Sequence, residues 1–335
     1  MNYSDYSPKT IEDIVRLRRR ISASGIPDKV TDVNLIVGTW NIQAFGGFHY
    51  GWEENPGSPK RNLRGLATIA EIIQRYDVIA IQEVKRDTTG LRFLLAEFLG
   101  DDWDVLLSDV TSGNKGNTER MAYVYDKRRV RPSGLAGEIV LPPPGPAMPV
   151  EQFDRTPYLA GFNAGGAKFT LLSAHIRYGD IPEDRIPELT AIANFTADEI
   201  RGRIADGVEE RNPIVLGDFN IDAREDNPLF QAFCSRGLIV PPGLNNLKTT
   251  YGTEPKFYDQ VAWFMGSLEM EFTGRCGVID FVDAVFPEMS TFSMTFRVSD
   301  HFPLWAEFAI DRSAIQMAGV LGIDPAQPDP FGDIV

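Results

Sequence analysis

The chain is short of several things that would decide its chemistry at once. Of its 335 residues only two are cysteine, Cys234 and Cys276, and three are histidine, His49, His175 and His301. Two cysteines cannot build a disulfide framework or a cysteine-based zinc site, and this sparing usage fits a reducing compartment. Long apolar runs are missing too. No stretch approaches the roughly 18 uncharged residues that span a bilayer, and the opening MNYSDYSPKTIEDIVRLRRR lacks the apolar core of a secretion signal. These absences lead to the expectation of a cytoplasmic protein without membrane association. Positive charge is in deficit: 33 Lys plus Arg stand against 47 Asp plus Glu, for a net charge of −14. That balance argues against a protein that coats nucleic acid through its overall charge. Local phosphate binding remains open, and clustered carboxylates are what a metal-dependent phosphoester hydrolase needs to hold its ion.

What is present is an ordinary globular composition, 43% hydrophobic and 24% charged, which argues against disorder and fibrous repeats. No Ser/Gly linker and no internal repeat divides the chain, and strand and helix patterns recur along it, so one large α/β domain is favoured over two. The organisation expected is a helical extension over 1–30, a catalytic domain over 31–312 and a tail over 313–335, irregular from about residue 325. Residues 10–21 predict a helix with Thr10 and Asp13 as a capping box and Arg16, Arg18, Arg19 and Arg20 towards its end, read as a charge-balanced surface helix. Strands are predicted at 35–42, 78–82, 123–125, 168–174, 213–216, 260–264 and 304–308, and helices at 62–75 and 187–204. Residues 141–149, LPPPGPAMP, cannot form a central strand because proline has no ladder donor; they predict a surface loop or an edge connection.

The informative pattern is where polar residues stand relative to these strands. Asn41, Glu83, His175 and Asp218 with Asn220 each follow an apolar run, at the C-terminal end of the predicted strand. If the strands share sheets, several such ends converge on one rim, and a rim carrying Asn, Glu, His and Asp-x-Asn is a candidate site. Asp300 and His301, just ahead of the apolar stretch 302–308, add an acid and a second imidazole. Singly, a strand-end Asn or Asp serves a turn and a lone histidine is structural. Two of only three histidines falling in such clusters is harder to dismiss.

TWNIQ (39–43), IQEV (81–84), SAHIRYGD (173–180), GDFN (217–220), YDQV (258–261) and SDH (299–301), in this order, resemble the ordered motifs of the endonuclease/exonuclease/phosphatase superfamily over roughly residues 34–310. NTERMAYVYD (117–126) and FDRTPYLAGF (153–162) resemble two further segments of its deoxyribonuclease I-like nucleases. The resemblance implies a four-layer α/β sandwich, with two central mixed β-sheets flanked by helices. It implies a Mg²⁺-dependent phosphodiester hydrolase, with Mn²⁺ able to substitute and DNA as the expected substrate, and no obligate protein partner.

Carried over residue by residue, Glu83 would bind Mg²⁺, with Asp300 as second ligand and Asn41 beside them, contacting metal or substrate; such a sparse oxygen set suits Mg²⁺ better than zinc. Asp218 and Asn220 would position or deprotonate the attacking water and hold the phosphate. His301 would pair with Asp259 and His175 with Glu119, a carboxylate fixing each imidazole's tautomer; whether His175 or Asp218 is the general base is left open. Arg155 would contact the scissile phosphate and Lys85 a backbone phosphate, with Arg120 a further local cation. Asn117 stands where those nucleases carry a groove-stacking tyrosine. The loop 46–60, with Phe48, His49, Tyr50 and Trp52, has no counterpart, and its aromatics either pack it onto the body or stack on unpaired bases. The acidic charge and the missing tyrosine keep an alternative in view: a phosphatase or phospholipase-type enzyme acting on inositol phosphates, nucleotides or phospholipid head groups. A scaffold with a dead site is disfavoured, because every assigned position carries a competent residue.

Overall fold

Asn34–Phe45 (β1) is apolar at almost every position because both faces of the strand are covered, so successive side chains enter two different cores. Leu35 and Val37 face one hydrophobic cluster and Ile36 another; in Val78–Lys85 (β2), Val78 and Ala80 divide from Ile79 and Ile81 in the same way. The computed structural model describes residues 2–111, 117–143, 150–200, 212–266, 268, 270–324, 327, 330–332 and 334. β1 runs parallel to β2 and antiparallel to Leu304–Ala309 (β12). Beyond them lie Glu119–Asp126 (β4) and Trp103–Leu107 (β3) on one side and Glu271–Val278 (β11) on the other, giving the order β11-β12-β1-β2-β4-β3.

The second six-stranded sheet has Arg131–Glu138 (β5), Tyr158–Ala164 (β6), Ala167–His175 (β7), Pro213–Asp218 (β8), Asp259–Phe264 (β10) and Leu238–Ile239 (β9), in that spatial order. β7 and β8 are parallel, so this sheet is mixed as well. The two sheets face each other across one core, which takes Leu35, Val37, Val78 and Ala80 from the first and Phe162, Leu171, Ile214, Leu216 and Val261 from the second. Pro8–Ala23 (α1) and Leu63–Ile73 (α2) cover the outer face of the first sheet, and helices at Ile186–Phe195 and Pro228–Cys234 cover that of the second. The result is the expected four-layer sandwich. Among the described residues no helix is long and apolar enough to cross a membrane.

Several local expectations change. α1 starts a turn earlier than expected. Ser7 is its cap, accepting from the Thr10 N–H at 3.3 Å, and Pro8 fills the first position, where no N–H is needed; Thr10 lies inside the helix. α1 is the expected surface helix with one face buried: Ile14, Leu17 and Ile21 are covered, and Asp13 binds Arg16 at 2.5 Å and Arg64 at 2.7 Å while accepting the Phe286 N–H at 3.1 Å. The helix predicted at 187–204 spans Ile186–Phe195 and continues as a π-helical turn over Thr196–Ile200; residues 201–204 lie outside the described residues, as do 144–149 of the proline-rich segment. The tail region carries a helix at Ser313–Leu321. In the loop 46–60, Phe48 packs on Phe93 (4.7 Å between ring centroids) and Trp52 on Tyr6 (5.0 Å), so these rings seat the loop on the body while Tyr50 stays exposed.

Gly217, one residue before the end of β8, has φ +141°, and a Cβ there would lie 2.0 Å from the Ala174 carbonyl oxygen of β7. Neither the backbone conformation nor the close approach tolerates a side chain. Gly217→Ala is expected to destabilise the protein by about 3 kcal/mol, measured as a lower urea midpoint without a change in slope.

Candidate active site

The alternation that fills the inter-sheet core also builds the site. Continuing the inward parity of Leu35 and Val37 along β1 gives Thr39 and Asn41; that of Val78 and Ala80 gives Gln82; that of Phe169 and Leu171 gives Ser173 and His175; and that of Ile214 and Leu216 gives Asp218. On antiparallel β10 the same face begins with Asp259, which pairs in register with Asp218, as His175 does from β7. At this end of the sandwich the core turns from apolar to polar. Thr39 donates to Gln82 Oε1 at 3.1 Å, and the Gln82 amide donates across to Ser173 Oγ at 3.0 Å, joining the two sheets.

Asp218 lies at the centre. Its Oδ2 accepts from Asn41 Nδ2 at 2.9 Å and stands 3.6 Å from His175 Nε2 and 3.8 Å from His301 Nε2; its Oδ1 accepts the Asn220 N–H at 3.0 Å. His301 Nδ1 makes a 2.7 Å hydrogen bond with Asp259 Oδ2. His175 Nδ1 comes within 3.2 Å of Glu119 Oε2 without meeting hydrogen-bond geometry. Glu119 is held from both sides, by Lys85 Nζ at 2.8 Å and Arg155 Nε at 2.6 Å. Asn220 Nδ2 donates to the Ile176 carbonyl at 2.7 Å.

Glu83 departs from the alternation. The β2–β4 register shifts between Ile81 and Val84, and Glu83 takes φ +61°, a conformation costing a residue of its type about 1–3 kcal/mol. The turned carboxylate accepts from Ala44 N at 2.9 Å and Asn41 Nδ2 at 3.1 Å. With both amide hydrogens of Asn41 committed, its buried Oδ1 has no hydrogen-bond partner among the described residues. Asp300 is half-buried beside this group. Burial, with Glu83 and Asp218 adding to it, holds its carboxyl above the ordinary range, against the pull of His301. Among the described residues no three His, Cys, Asp or Glu side chains form a metal cage. What is present is two carboxylates and an orphaned amide oxygen, a hard-oxygen set of the kind Mg²⁺ accepts while keeping waters.

The charges around Asp218 sort themselves. Burial works against ionisation of Asp218, but the two imidazoles, Asn41 and the Asn220 N–H outweigh it, so the carboxyl sits below its ordinary value. Burial likewise opposes a charged His301, yet the carboxylates of Asp259, Asp218 and Asp300 raise its pKa well above the usual value. The raised imidazole and the lowered carboxyl set a group suited to donate to an oxyanion beside one suited to accept from water.

Some contributors were given no role by the sequence reading. Ser299 Oγ donates to the Asn41 carbonyl at 2.5 Å and accepts the His301 N–H at 3.0 Å, tying β1 to the segment before β12. Arg61, pushed down to about 10 by burial against the pull of Glu83, donates to the carbonyls of Gln43 at 2.7 Å, Ala44 at 3.2 Å, Arg297 at 3.2 Å and Val298 at 3.1 Å. Gln82 and Ser173 were findable by extending the period-two pattern two residues. Arg61 and Ser299 act through backbone groups, which side-chain pattern cannot reveal. Arg120 lies on β4 opposite Val84, Asn117 in the turn before that strand with φ +53°, and His49 in a backbone bridge with Asn62; none of the three joins the cluster around Asp218.

The profile of the endonuclease/exonuclease/phosphatase family matches residues 38–301. The chain is 27% identical over 287 residues to a protein named deoxyribonuclease from Thioalkalivibrio sp. (strain K90mix), covering 82% of this chain and 71% of that one. Among solved structures it is similar to D. rerio TDP2 complexed with single strand DNA product, with a TM-score of 0.51, 14% identity and coverage of 82% of this chain and 98% of that one. It is also similar to the Bacteroides thetaiotaomicron VPI-5482 mannosyl-6-phosphatase Bt3783, with a TM-score of 0.52, 18% identity and coverage of 82% and 99%. At these identities the structural likeness is one of fold.

Glu119 supplies a measurable acid limb to stability. Burial alone would raise its pKa, but His175, Arg155 and Lys85 bring it from 4.5 down to about 2. A carboxyl depressed on folding stabilises above its unfolded pKa, here by about 3 kcal/mol, and that contribution fades as pH falls from about 4.5 to about 2. Urea denaturation across this window should show the loss, and Glu119→Gln should flatten it.

Proposed function

Because this chain belongs to the endonuclease/exonuclease/phosphatase family, hydrolases acting on phosphoester bonds, we propose that it is a divalent-cation-dependent phosphodiesterase that cleaves nucleic acid, with Mg²⁺ as its cation and DNA as its substrate. The observation that carries this reading is the Asp218 carboxylate between two imidazoles, one of them backed by Asp259 at 2.7 Å. The similarity to a protein named deoxyribonuclease supports the nuclease assignment. So does the basic strip of Lys85 and Arg155 on the two oxygens of Glu119, next to His175, in a chain that is otherwise strongly acidic.

Glu83, Asp300 and the Asn41 Oδ1 would hold the cation, which when bound supplies neutralisation of charge on the phosphoryl oxygens. Asp218 accepts a hydrogen bond from the attacking water and takes its proton as the new P–O bond forms and the bond to the leaving oxygen breaks. The Nε2–H of the His301 imidazolium donates to a non-bridging phosphoryl oxygen, while Asp259 fixes the ring through Nδ1. His175 closes the other side of Asp218, and Lys85 and Arg155 bind the flanking phosphate. A second reading, hydrolysis of small phosphoesters, draws on the net charge of −14, which repels a polyanion at long range.

Supercoiled plasmid, single-stranded DNA, RNA, inositol phosphates and sphingomyelin compared at matched phosphate concentration decide between the two. DNA is expected to turn over fastest, with activity abolished by EDTA and restored by Mg²⁺ or Mn²⁺. Faster turnover of the small phosphoesters refutes the nuclease assignment. In the same assay His301→Ala should cost about 10²-fold or more in rate, with Asp259→Asn losing less.

A further inference from the structure

On the β10 side the site is bounded by side chains that the proposed mechanism leaves unused. Tyr178, three residues after His175, exposes 58% of its surface. Its ring is covered on one face by the guanidinium of Arg185, 4.4 Å from the ring centroid, and Arg185 is itself only 2% exposed. Arg185 is held by three donations: Nε donates to the Tyr178 carbonyl at 2.7 Å, and Nη1 donates to the Asn220 carbonyl at 2.6 Å and Asp222 Oδ2 at 2.9 Å. Tyr258 meets Tyr178 edge-on, with ring centroids 6.3 Å apart, and its own ring lies 6.0 Å from that of His301.

This is a costly way to present a ring. A buried arginine balanced by Asp222 keeps an aromatic side chain from turning inwards, although an exposed tyrosine on a loop would ordinarily sample several rotamers. The same arginine grips the backbone of Asn220, so the ring's position is referred directly to the residues around Asp218. One face is covered by Arg185 and Tyr258 packs crosswise against the ring, yet more than half of the side chain stays exposed, and Tyr258 links it to His301. Such a ring accepts one planar partner by offset stacking.

We propose that Tyr178, backed by Arg185 and braced by Tyr258, is a stacking platform for the nucleobase adjoining the scissile phosphate. The substrate would then be a polynucleotide unpaired at the cut. This inference rests on the nuclease reading and specifies its substrate. A base inside a duplex is stacked on both faces by its neighbours, so it can reach the exposed ring only in a single strand, a loop or a frayed end. Base–aromatic stacking is tolerant of sequence, so no base preference accompanies it.

The test uses a short single-stranded oligonucleotide, as DNA and as RNA, and the same oligonucleotide lacking the base beside the cleavage position. Tyr178→Ala is expected to raise KM about tenfold on the intact strand, and Tyr178→Trp or Tyr178→Phe to restore it, because the ring and not the hydroxyl carries the interaction. Removing the base should raise KM for the wild type by a similar factor, and the two changes together should raise it no further. Additive effects, or an intact-strand KM that Tyr178→Ala does not move, overturn the platform. Anisotropy of a labelled oligo-dT strand in EDTA separates the two readings. Binding weakened by Tyr178→Ala in EDTA, with no cleavage of the same strand by the wild type once Mg²⁺ is added, sinks the nuclease assignment and keeps the platform, whereas equal binding by the two proteins sinks the platform.

Discussion

One hydrogen bond crosses the seam of this molecule where everything else converges. Asn41, from the first sheet, donates to Asp218, from the second, at 2.9 Å, and the same amide donates to Glu83 at 3.1 Å. Two sheets that meet only through apolar side chains can slide by fractions of an ångström at little cost, since dispersion contacts are non-directional. A buried amide with both hydrogens committed cannot, because sliding would leave the buried Asp218 carboxylate short of a donor. Gln82 and Ser173 repeat the device one layer deeper. The registration of the two sheets, and with it the relative placement of Glu83, Asp218 and His301, therefore depends on polar groups that contribute little to net stability and much to geometry.

The fold was largely legible because buried mixed sheets need apolar runs covered on both faces, and all seven predicted strands exist. What escaped was the buried strand β6 and the periphery, β3 included. β5 exposes most of its residues, β11 buries only Gly277, and β9 is two residues long, so the apolar signal that betrays a central strand is weak in those three. The start of α1 lies earlier than expected because Thr10 and Asp13 resemble a capping box, whereas Ser7 followed by Pro8 is the cap. The arginines mark the solvated face, where Arg18, Arg19 and Arg20 are exposed, and the covered face carries Ile14, Leu17, Ile21 and the Asp13 that Arg16 grips.

The residues proposed for the site were legible for a different reason. Several stand at the end of a strand, where alternation continues but the residue type changes, so a polar side chain on the inward parity has to be explained by something other than packing. Asp218, Asp259 and His175 follow that rule. Glu83 does not, and only the left-handed turn at its own Cα brings it into the group. A periodicity argument taken alone would have sent Glu83 to the wrong face; the ordered motif placed it beside the others.

Arg61 shows how such a site can last while its neighbours drift. Its donors reach the carbonyls of Gln43, Ala44, Arg297 and Val298, and so it binds the end of β1 to the segment leading into Asp300 and His301 without consulting the side chains at those positions. Mutation at Gln43 or Ala44 changes what those residues present to solvent and leaves the clamp intact. One arginine thereby confers mutational freedom on the surface around the reacting groups, and substrate preference can be revised there without disturbing the spacing beneath it.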